Sequence, residues 1–411
     1  MHAFPGDVHL IAGIIIFIAS YVVFAFGKFP GMKIDRPGMA IIGAVLMVAF
    51  RVVTATDALR SVDFATIVLL FSMMLVVANL HLVGLFDLVA EFVVTRLGSS
   101  RLLPAVIIST GVLSAFFVND IICLVMVPIV LHITKRMSVP PMKYLLAVAT
   151  ASNIGSVATI TGNPQNILIG SYSGISYLSF IGHLGPVAAI GLFIDWAILH
   201  WIFRDTQLPA TPQNTQEESR PRQRGNLLKA GIVVALVIAG FLFGFPPPLV
   251  AAVGAAVILI SRSMEPRLVY DEVDWGLLVF FVGLFVIVGG AEKVGIVAGM
   301  LDVARTWNLN NSGIFAAVTA VMSNLVSNVP AVMLLKSVVP QFPDAHRAWL
   351  LLAMASTLAG NLTITGSIAN IIVVERARAE VTITFKDYLR VGVPVTLVTL
   401  TFGTAWLWAV N

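Results

Sequence analysis

One phrase occurs twice in this chain: Thr159-Ile160-Thr161-Gly162 followed by Asn166-Ile167, and Thr363-Ile364-Thr365-Gly366 followed by Asn370-Ile371. Each copy lies in a long apolar stretch and places a glycine, amides and hydroxyls where a continuous helix would carry apolar side chains. Backbone groups freed by such an interruption need partners, because a buried N–H or C=O without one costs about as much as a lost hydrogen bond. The phrase therefore predicts two helices that break at corresponding places in two halves of the chain. At membrane depth such breaks persist only where protein buries them or where they line a cavity.

The setting is a membrane, since 58% of the residues are hydrophobic and only 11% charged, with a mean hydropathy of +0.95. That composition predicts an all-α polytopic membrane protein. Apolar runs near 8–27, 38–53, 64–86, 145–172, 179–203, 227–245, 247–261, 275–291, 348–374 and 388–410 suggest ten crossings. The first run lacks a basic leader and reads as an ordinary span, not a cleaved signal. A pI near 9.3 is assigned to loop charges facing the cytoplasm, so nucleic acid is not an expected partner. The single cysteine, Cys123, excludes an internal disulfide and any cysteine-cluster metal site.

Further correspondences join the halves: Val62-Asp63-Phe64 with Val273-Asp274-Trp275, Leu145-Leu146-Ala147 with Leu351-Leu352-Ala353, and Gly185-Pro186-Val187 with Val393-Pro394-Val395. The expected organisation is a first membrane repeat over 1–203, a cytoplasmic linker over 204–226, and a second, inverted repeat over 227–411. Segments 102–136 and 311–340 exceed one crossing and are interrupted at Asn119-Asp120 and at Ser327-Asn328-Val329-Pro330, which predicts a re-entrant hairpin in each. Every repeat then has about five transmembrane helices, one hairpin and one broken helix. An odd number of crossings inverts the second repeat. With both termini outside, most of the 25 basic residues lie on the inner side, as positive-inside bias requires; Arg51, Arg60, Lys293, Arg305, Lys336 and Arg347 fall elsewhere. The expected location is a prokaryotic cytoplasmic membrane.

Two breaks and two hairpin tips meeting at mid-membrane would enclose a small polar chamber. Helix fragments present unpaired N–H groups at one end and carbonyls at the other. Asn119, Asn166, Asn328 and Asn370 supply both donors and acceptors, and Thr161 and Thr365 supply hydroxyls; Asn163 and Ser367, which follow the two glycines, complete the candidate solute-binding set. Gly162, Pro164, Pro330 and Gly366 are expected to shape the breaks. No arginine falls in the chamber expected from the sequence, which weighs against a di- or tricarboxylate. Asp120, at the first hairpin tip, is the candidate proton-coupling group, or else a cap of the second hairpin helix; Asp195, inside the span 179–203, is the runner-up. Asp87 and Glu91 read as a solvated or interfacial pair, Asp63 and Asp274 as helix caps, Glu292 and Lys293 as a local surface pair, and Lys336 as a snorkelling residue or else an accessory charge. His183 and His200 read as isolated packed or interfacial histidines. Neither a metal-binding or nucleophile motif nor a phosphate loop occurs, so no enzyme activity and no cofactor is expected.

These residues resemble the ion transporter superfamily, which includes arsenite permeases, citrate-type and dicarboxylate transporters, and sodium/proton antiporters. The resemblance rests on Phe117-Val118-Asn119-Asp120, Thr161-Gly162-Asn163-Pro164-Gln165-Asn166, Ser327-Asn328-Val329-Pro330 and Thr365-Gly366-Ser367-Ile368-Ala369-Asn370. It is most similar to the arsenite permeases, through the Asn-Asp pair of the first hairpin, the Asn-x-Pro of the second, and a comparable length without a large soluble insertion. The hairpin tips lack the complete Ser-Asn-Thr triplets of sodium-coupled dicarboxylate transporters, and Asn163 and Ser367 stand where the antiporter branch has aspartate. The resemblance implies a secondary active transporter exporting arsenite or antimonite in exchange for protons by alternating access. Its partners would be the solute, the proton, the bilayer and, as in some arsenite permeases, an arsenite-stimulated ATPase subunit. The alternative is a proton- or sodium-coupled carrier of small organic or inorganic anions.

Overall fold

A computed structural model of the chain describes residues 6–26, 34–85, 88, 101–204, 224–260, 265–296, 299, 302 and 306–410. The first half carries α1 (Gly6–Phe26), α2 (Arg36–Ala49), α3 (Ala55–Ser61), α4 (Phe64–Leu82), α5 (Leu102–Phe116), α6 (Asn119–Arg136), α7 (Met142–Ser156), α8 (Pro164–Ser173) and α9 (Tyr177–Ile202). The second half carries α10 (Arg224–Leu242), α11 (Pro247–Ile260), α12 (Pro266–Asp271), α13 (Trp275–Lys293), α14 (Ser312–Val326), α15 (Asn328–Leu335), α16 (Ala345–Ala359), α17 (Ile368–Ala377) and α18 (Phe385–Val410). The order of long and short helices is the same in both halves, with α15 shorter than α6. Most of the linker, residues 205–223, and the pair Asp87 and Glu91 lie outside the described residues.

Packing partners occur in matched pairs, some between the halves and some within each. Helix α2 packs on α13 as α11 packs on α4; α5 packs on α7 as α14 packs on α16; α6 packs on α17 as α8 packs on α15. The two 26-residue helices α9 and α18 pack on each other. Close approaches are made by small residues, as bundles without a hydrophobic drive between helices require. A β-carbon on Gly283 of α13 would lie 2.6 Å from the Ala40 carbonyl carbon of α2, and one on Gly155 of α7 would lie 2.5 Å from the Gly111 α-carbon of α5.

Helix starts follow the predicted capping chemistry. Asp63 accepts from the Ala65 and Thr66 N–H groups, and Asp274 from that of Leu277 at 2.9 Å. Asp120 does not cap: it lies one residue inside α6, whose N-cap is Val118 with no side-chain bond. Two segments predicted as hairpins fold as helix–turn–helix units, α5–α6 turning at 117–118 and α14–α15 turning at Ser327. The two breaks fall at 157–163, between α7 and α8, and at 360–367, between α16 and α17, where a 3₁₀ turn occupies Ile364–Gly366.

Several apolar runs are not simple spans. Five helices among the described residues are long and apolar enough to cross a bilayer unaided: Val8–Ala25 within α1, then α4, α9, α13 and α18. Helices α2 and α11 have 14 residues each, about 21 Å, which is short of a hydrocarbon core of about 30 Å. The runs 145–172 and 348–374 are the interrupted pairs α7–α8 and α16–α17.

The charged pairs also depart from expectation. Glu292 and Lys293 do not pair with each other, because consecutive helical residues do not share a face. Lys293 instead pairs with Asp57 on α3, and Glu292 lies 3.7 Å from the Lys336 ammonium. Lys336 is not a snorkelling residue; its ammonium also sits 4.2 Å above the Tyr172 ring at the end of α8. The Lys293 hydrogen bond, with help from Thr54, holds the Asp57 carboxyl down at about 2. His183 lies edge-on to His346, with ring centres 5.2 Å apart, and His200 stacks on Trp196.

Candidate functional site

Helices α7 and α16 deliver the two breaks to the centre of the molecule. Residues Tyr144–Ser156 and Leu350–Ala359 are buried throughout, so freed backbone groups must find partners within the protein. At the first break the Asn166 amide donates to the carbonyls of Ser156 and Thr159, both at 3.0 Å. At the second, Asn370 does the same for Gly360 at 2.6 Å and Thr363 at 3.0 Å. The repeated asparagines thus staple each broken helix across its gap. Replacing Asn166 or Asn370 with leucine removes both hydrogen bonds of a staple, although Thr159 and Thr363 keep a backbone donor and Ser156 keeps the Asn163 amide at 3.4 Å. At roughly 0.5–1.5 kcal/mol net per lost hydrogen bond, each variant should lose about 1–3 kcal/mol of stability, read as a lowered midpoint of thermal unfolding in detergent.

A connected amide network joins the breaks. Asn153, on the last turn of α7, donates to Asn361 Oδ1 at 2.8 Å and Asn370 Oδ1 at 3.0 Å, and its own oxygen accepts from Asn119 and Ser367, each at 3.0 Å. On the other side Thr357 accepts from Asn163 and Gln165, each at 3.1 Å. Asn163 also caps α8 by accepting from the Asn166 N–H at 2.8 Å. The Asn328 amide, set by its surroundings, donates to the carbonyls of Ser356 and Gly366 and accepts from Gln165.

Below this network lies a cavity of about 130 Å³, room for roughly ten water-sized positions. Its wall is built from the start of α2 (Arg36), the first hairpin tip (Asn119, Asp120), the start of α8 (Pro164, Gln165), the start of α13 (Asp274), the second tip (Ser327, Asn328) and the start of α17 (Ser367). Six chain segments therefore converge there with helix N-termini. Ser327 is held at φ +76° and ψ 158°, a region that residues with side chains rarely adopt and that costs on the order of 1–3 kcal/mol. Asp120 lies near the Ala369 N–H on the first turn of α17 and within electrostatic range of Asp274. The Arg36 Nε donates to the Phe24 carbonyl at 2.9 Å, leaving the rest of the guanidinium for the cavity side.

Asn119, Asp120, Pro164, Asn328 and Ser367 are thus on the wall. Thr161 is off it, bonded to the Tyr177 hydroxyl at 2.6 Å. Asn163, Asn166 and Asn370 sit behind it, holding backbone and network, and Thr365 is exposed. A β-carbon on Gly162 would lie 2.7 Å from the Ser156 α-carbon, and one on Gly366 would lie 2.7 Å from Asn324 Oδ1, so neither break tolerates a side chain there. The Pro330 carbonyl accepts from Tyr21 at 3.2 Å. Cys123 is buried in α6.

Arg36 overturns the expectation of a chamber free of arginine: charge counting had assigned it to an inner loop, yet the packing of α2 on α13 brings it to the same cavity wall as Asp274. Asn153, Thr357 and Gln165 were also missed. The signal was available, because Ser152-Asn153 and Ser356-Thr357 are polar pairs at equivalent points of two otherwise apolar helices just before each break.

Orientation runs through the network in one direction. Two carbonyls fix the Asn370 nitrogen, so its oxygen must face Asn153; the Asn153 oxygen must then face Asn119, which gives it one of its two N–H donors. The remaining Asn119 oxygen is buried on the cavity wall without a hydrogen-bond partner among the described residues.

Comparison with known proteins agrees with this architecture. An uncharacterised transporter of Mycobacterium tuberculosis is 29% identical over 97% of this chain and 98% of its own length. A silicon efflux transporter of Oryza sativa subsp. japonica is 30% identical over 98% of both chains. The crystal structure of the YdaH transporter of Alcanivorax borkumensis superposes with a TM-score of 0.60 at 12% identity, over 98% of this chain and 97% of that one, which shows a shared fold. Residues 21–359 match the citrate transporter family, so this multi-pass membrane protein, with its paired breaks and converging hairpin tips, belongs to that family of the ion transporter superfamily.

Proposed function

We propose that the protein exports a small uncharged polyhydroxy acid, arsenite or antimonite, across a prokaryotic cytoplasmic membrane in exchange for protons. The observation that carries this reading is the polarity of the cavity's open valences. Asn119 Oδ1, Asp120 and Asp274 are acceptors, and they suit a solute that brings O–H donors. Trihydroxyarsenic, neutral at pH 7, brings three. Silicic acid has the same donor chemistry, and the rice relative is named a silicon efflux transporter. Two carboxyl groups against one guanidinium, when both are ionised, work against an anion and oppose the pull of the converging helix N-termini. Residues 1–203 and 227–411 act as inverted repeats with both termini outside, and the hairpins and broken helices alternate access to the chamber.

A second reading, a carrier of small organic or inorganic anions, is favoured by Arg36, which could pair with a carboxylate. One comparison separates them. Everted vesicles with an acid interior should accumulate arsenite, and Arg36→Gln should change the arsenite KM by less than about threefold. Losing a charge-assisted bond to an anion, worth roughly 1.5–3 kcal/mol, would instead raise KM about 10- to 150-fold. Vesicles that ignore arsenite but discharge the proton gradient when citrate is added, with that response lost in Arg36→Gln, would replace the first reading by the second.

A further inference from the structure

Asp195, on α9, is completely buried, and neither of its carboxyl oxygens has a hydrogen-bond partner among the described residues. Its polar neighbours are Thr150 on α7 and Tyr388 on α18. The Thr150 hydroxyl donates to the Leu146 carbonyl at 2.9 Å, and the Tyr388 hydroxyl is itself without a partner at bonding distance. A β-carbon on Gly191 would lie 3.7 Å from Thr399, and one on Gly403 would lie 3.0 Å from Val187. These contacts make α9 and α18 antiparallel in a register that sets Asp195 opposite Val395 and Thr396, and the buried Thr396 hydroxyl also lacks a partner. Neither described cavity reaches Asp195.

A bare carboxylate in such surroundings, with no donor and no counter-ion, would be prohibitively costly, so the group is the neutral acid in this conformation. Its surroundings also belong to the second break. The Thr150 carbonyl accepts from Asn361 at 3.3 Å, and a β-carbon on Gly392, one turn beyond Tyr388, would lie 3.1 Å from the Leu362 carbonyl oxygen. Any motion of that break against α9 changes what surrounds the acid.

We infer that Asp195 is a proton-carrying site of the transport cycle, separate from Asp120 at the chamber. In the arrangement described here its O–H bond is intact. When the second break moves away from α9 and water enters, that bond breaks, the proton leaves with water as hydronium, and the carboxylate accepts hydrogen bonds from water and from the Tyr388 and Thr396 hydroxyls. Re-closure requires the proton to return. Among the described residues, the helices packed on α9 bring no competing charge to this point: Lys386, Asp387 and Arg390 lie in the first two turns of α18, five or more residues before Val395, α5 has no ionisable residue, Lys143 lies two turns from Thr150 on α7, His346 and Arg347 begin α16 beside His183, and Lys229 lies near the start of α10.

The inference rests on the proposed exchange of solute for protons, and the test keeps the two apart. Purified protein in liposomes is supplied with arsenite, and solute and proton movements are recorded together for the wild type and Asp195→Asn. Asparagine keeps the shape and stays neutral. Expected is arsenite counterflow at equal pH within about threefold of wild type, with protons moved per solute reduced at least by half and accumulation driven by a pH gradient reduced to match. Wild-type coupling in Asp195→Asn would overturn the inference and leave the proposed function standing; a wild type that moves arsenite without protons would overturn both. If Asp195→Asn does not fold, Asp195→Glu serves. A shift of the pH midpoint of transport by about half a unit or more is expected, and an unmoved midpoint would make Asp195 a packing residue only.

Discussion

Replacing Gly155 with leucine is expected to leave no folded protein in the membrane. The glycine stands where α7 crosses α5, and a β-carbon there would lie 2.5 Å from the Gly111 α-carbon and 2.6 Å from its carbonyl carbon. The obstacle is backbone, so no rotamer change relieves it. Helix α7 cannot retreat either, because the amide of Asn153, two residues earlier, is tied to Asn119, Asn361 and Asn370. Overpacking a core commonly costs about 1–3 kcal/mol and more where the neighbour is fixed; moving α7 would add the loss of buried amide bonds at about 1–3 kcal/mol each. Size-exclusion of a fluorescent fusion in mild detergent should show the monodisperse peak disappear for Gly155→Leu. Gly182→Ala is the control, since nothing lies within 4 Å of a β-carbon there. A monodisperse, transport-competent Gly155→Leu protein would mean that the α5–α7 crossing is looser than described.

The contrast between Gly155 and the repeated glycines shows what a single sequence can reveal. Gly162 and Gly366 were legible because the chain repeats their setting, and a duplicated departure from apolar periodicity has few causes other than a duplicated break. The hairpins were legible for a related reason: Asn119-Asp120 and Ser327-Asn328 interrupt runs too long for one crossing. Gly155 looks like any small residue in a membrane helix, and its partner Gly111 lies on a different element; only the crossing gives either a role. The same holds for the cavity wall. Arg36 and Asp274 sit at the starts of helices separated by most of the chain, and nothing local distinguishes Arg36 from the loop charges around it. Among the amides, composition gives the right residue type but not the direction each faces. Asn166, Asn370 and Asn328 turn toward backbone carbonyls, while Asn119 leaves its oxygen on the cavity wall. That choice depends on where α7 and α16 meet, which is a property of the pairing between halves.

Replacing Asp120 with asparagine is expected to lower arsenite accumulation driven by a pH gradient at least about 100-fold while leaving the thermal unfolding midpoint close to wild type. Asparagine has the same shape and keeps an oxygen near the Ala369 N–H, so the first turns of α6 and α17 stay packed. What it removes is a charge that both ligands require. Asp120 shares the wall with the unpaired Asn119 oxygen, so a solute donating O–H groups to both must displace whatever proton the carboxyl carries, and a returning proton must displace the solute. Competition for one group makes each ligand weaken the other by the same factor. A gradient of one pH unit then supplies about 1.4 kcal/mol per proton to solute movement. Asp274→Asn is the comparison, because Asp274 also faces the cavity but is bonded to the Leu277 N–H as a cap; it should lose about 1 kcal/mol of stability and keep its coupling. Gradient-driven accumulation that survives in Asp120→Asn but vanishes in Asp274→Asn would exchange their roles. Survival in both would leave the cavity without a proton-linked carboxyl and remove the physical reason for exchange.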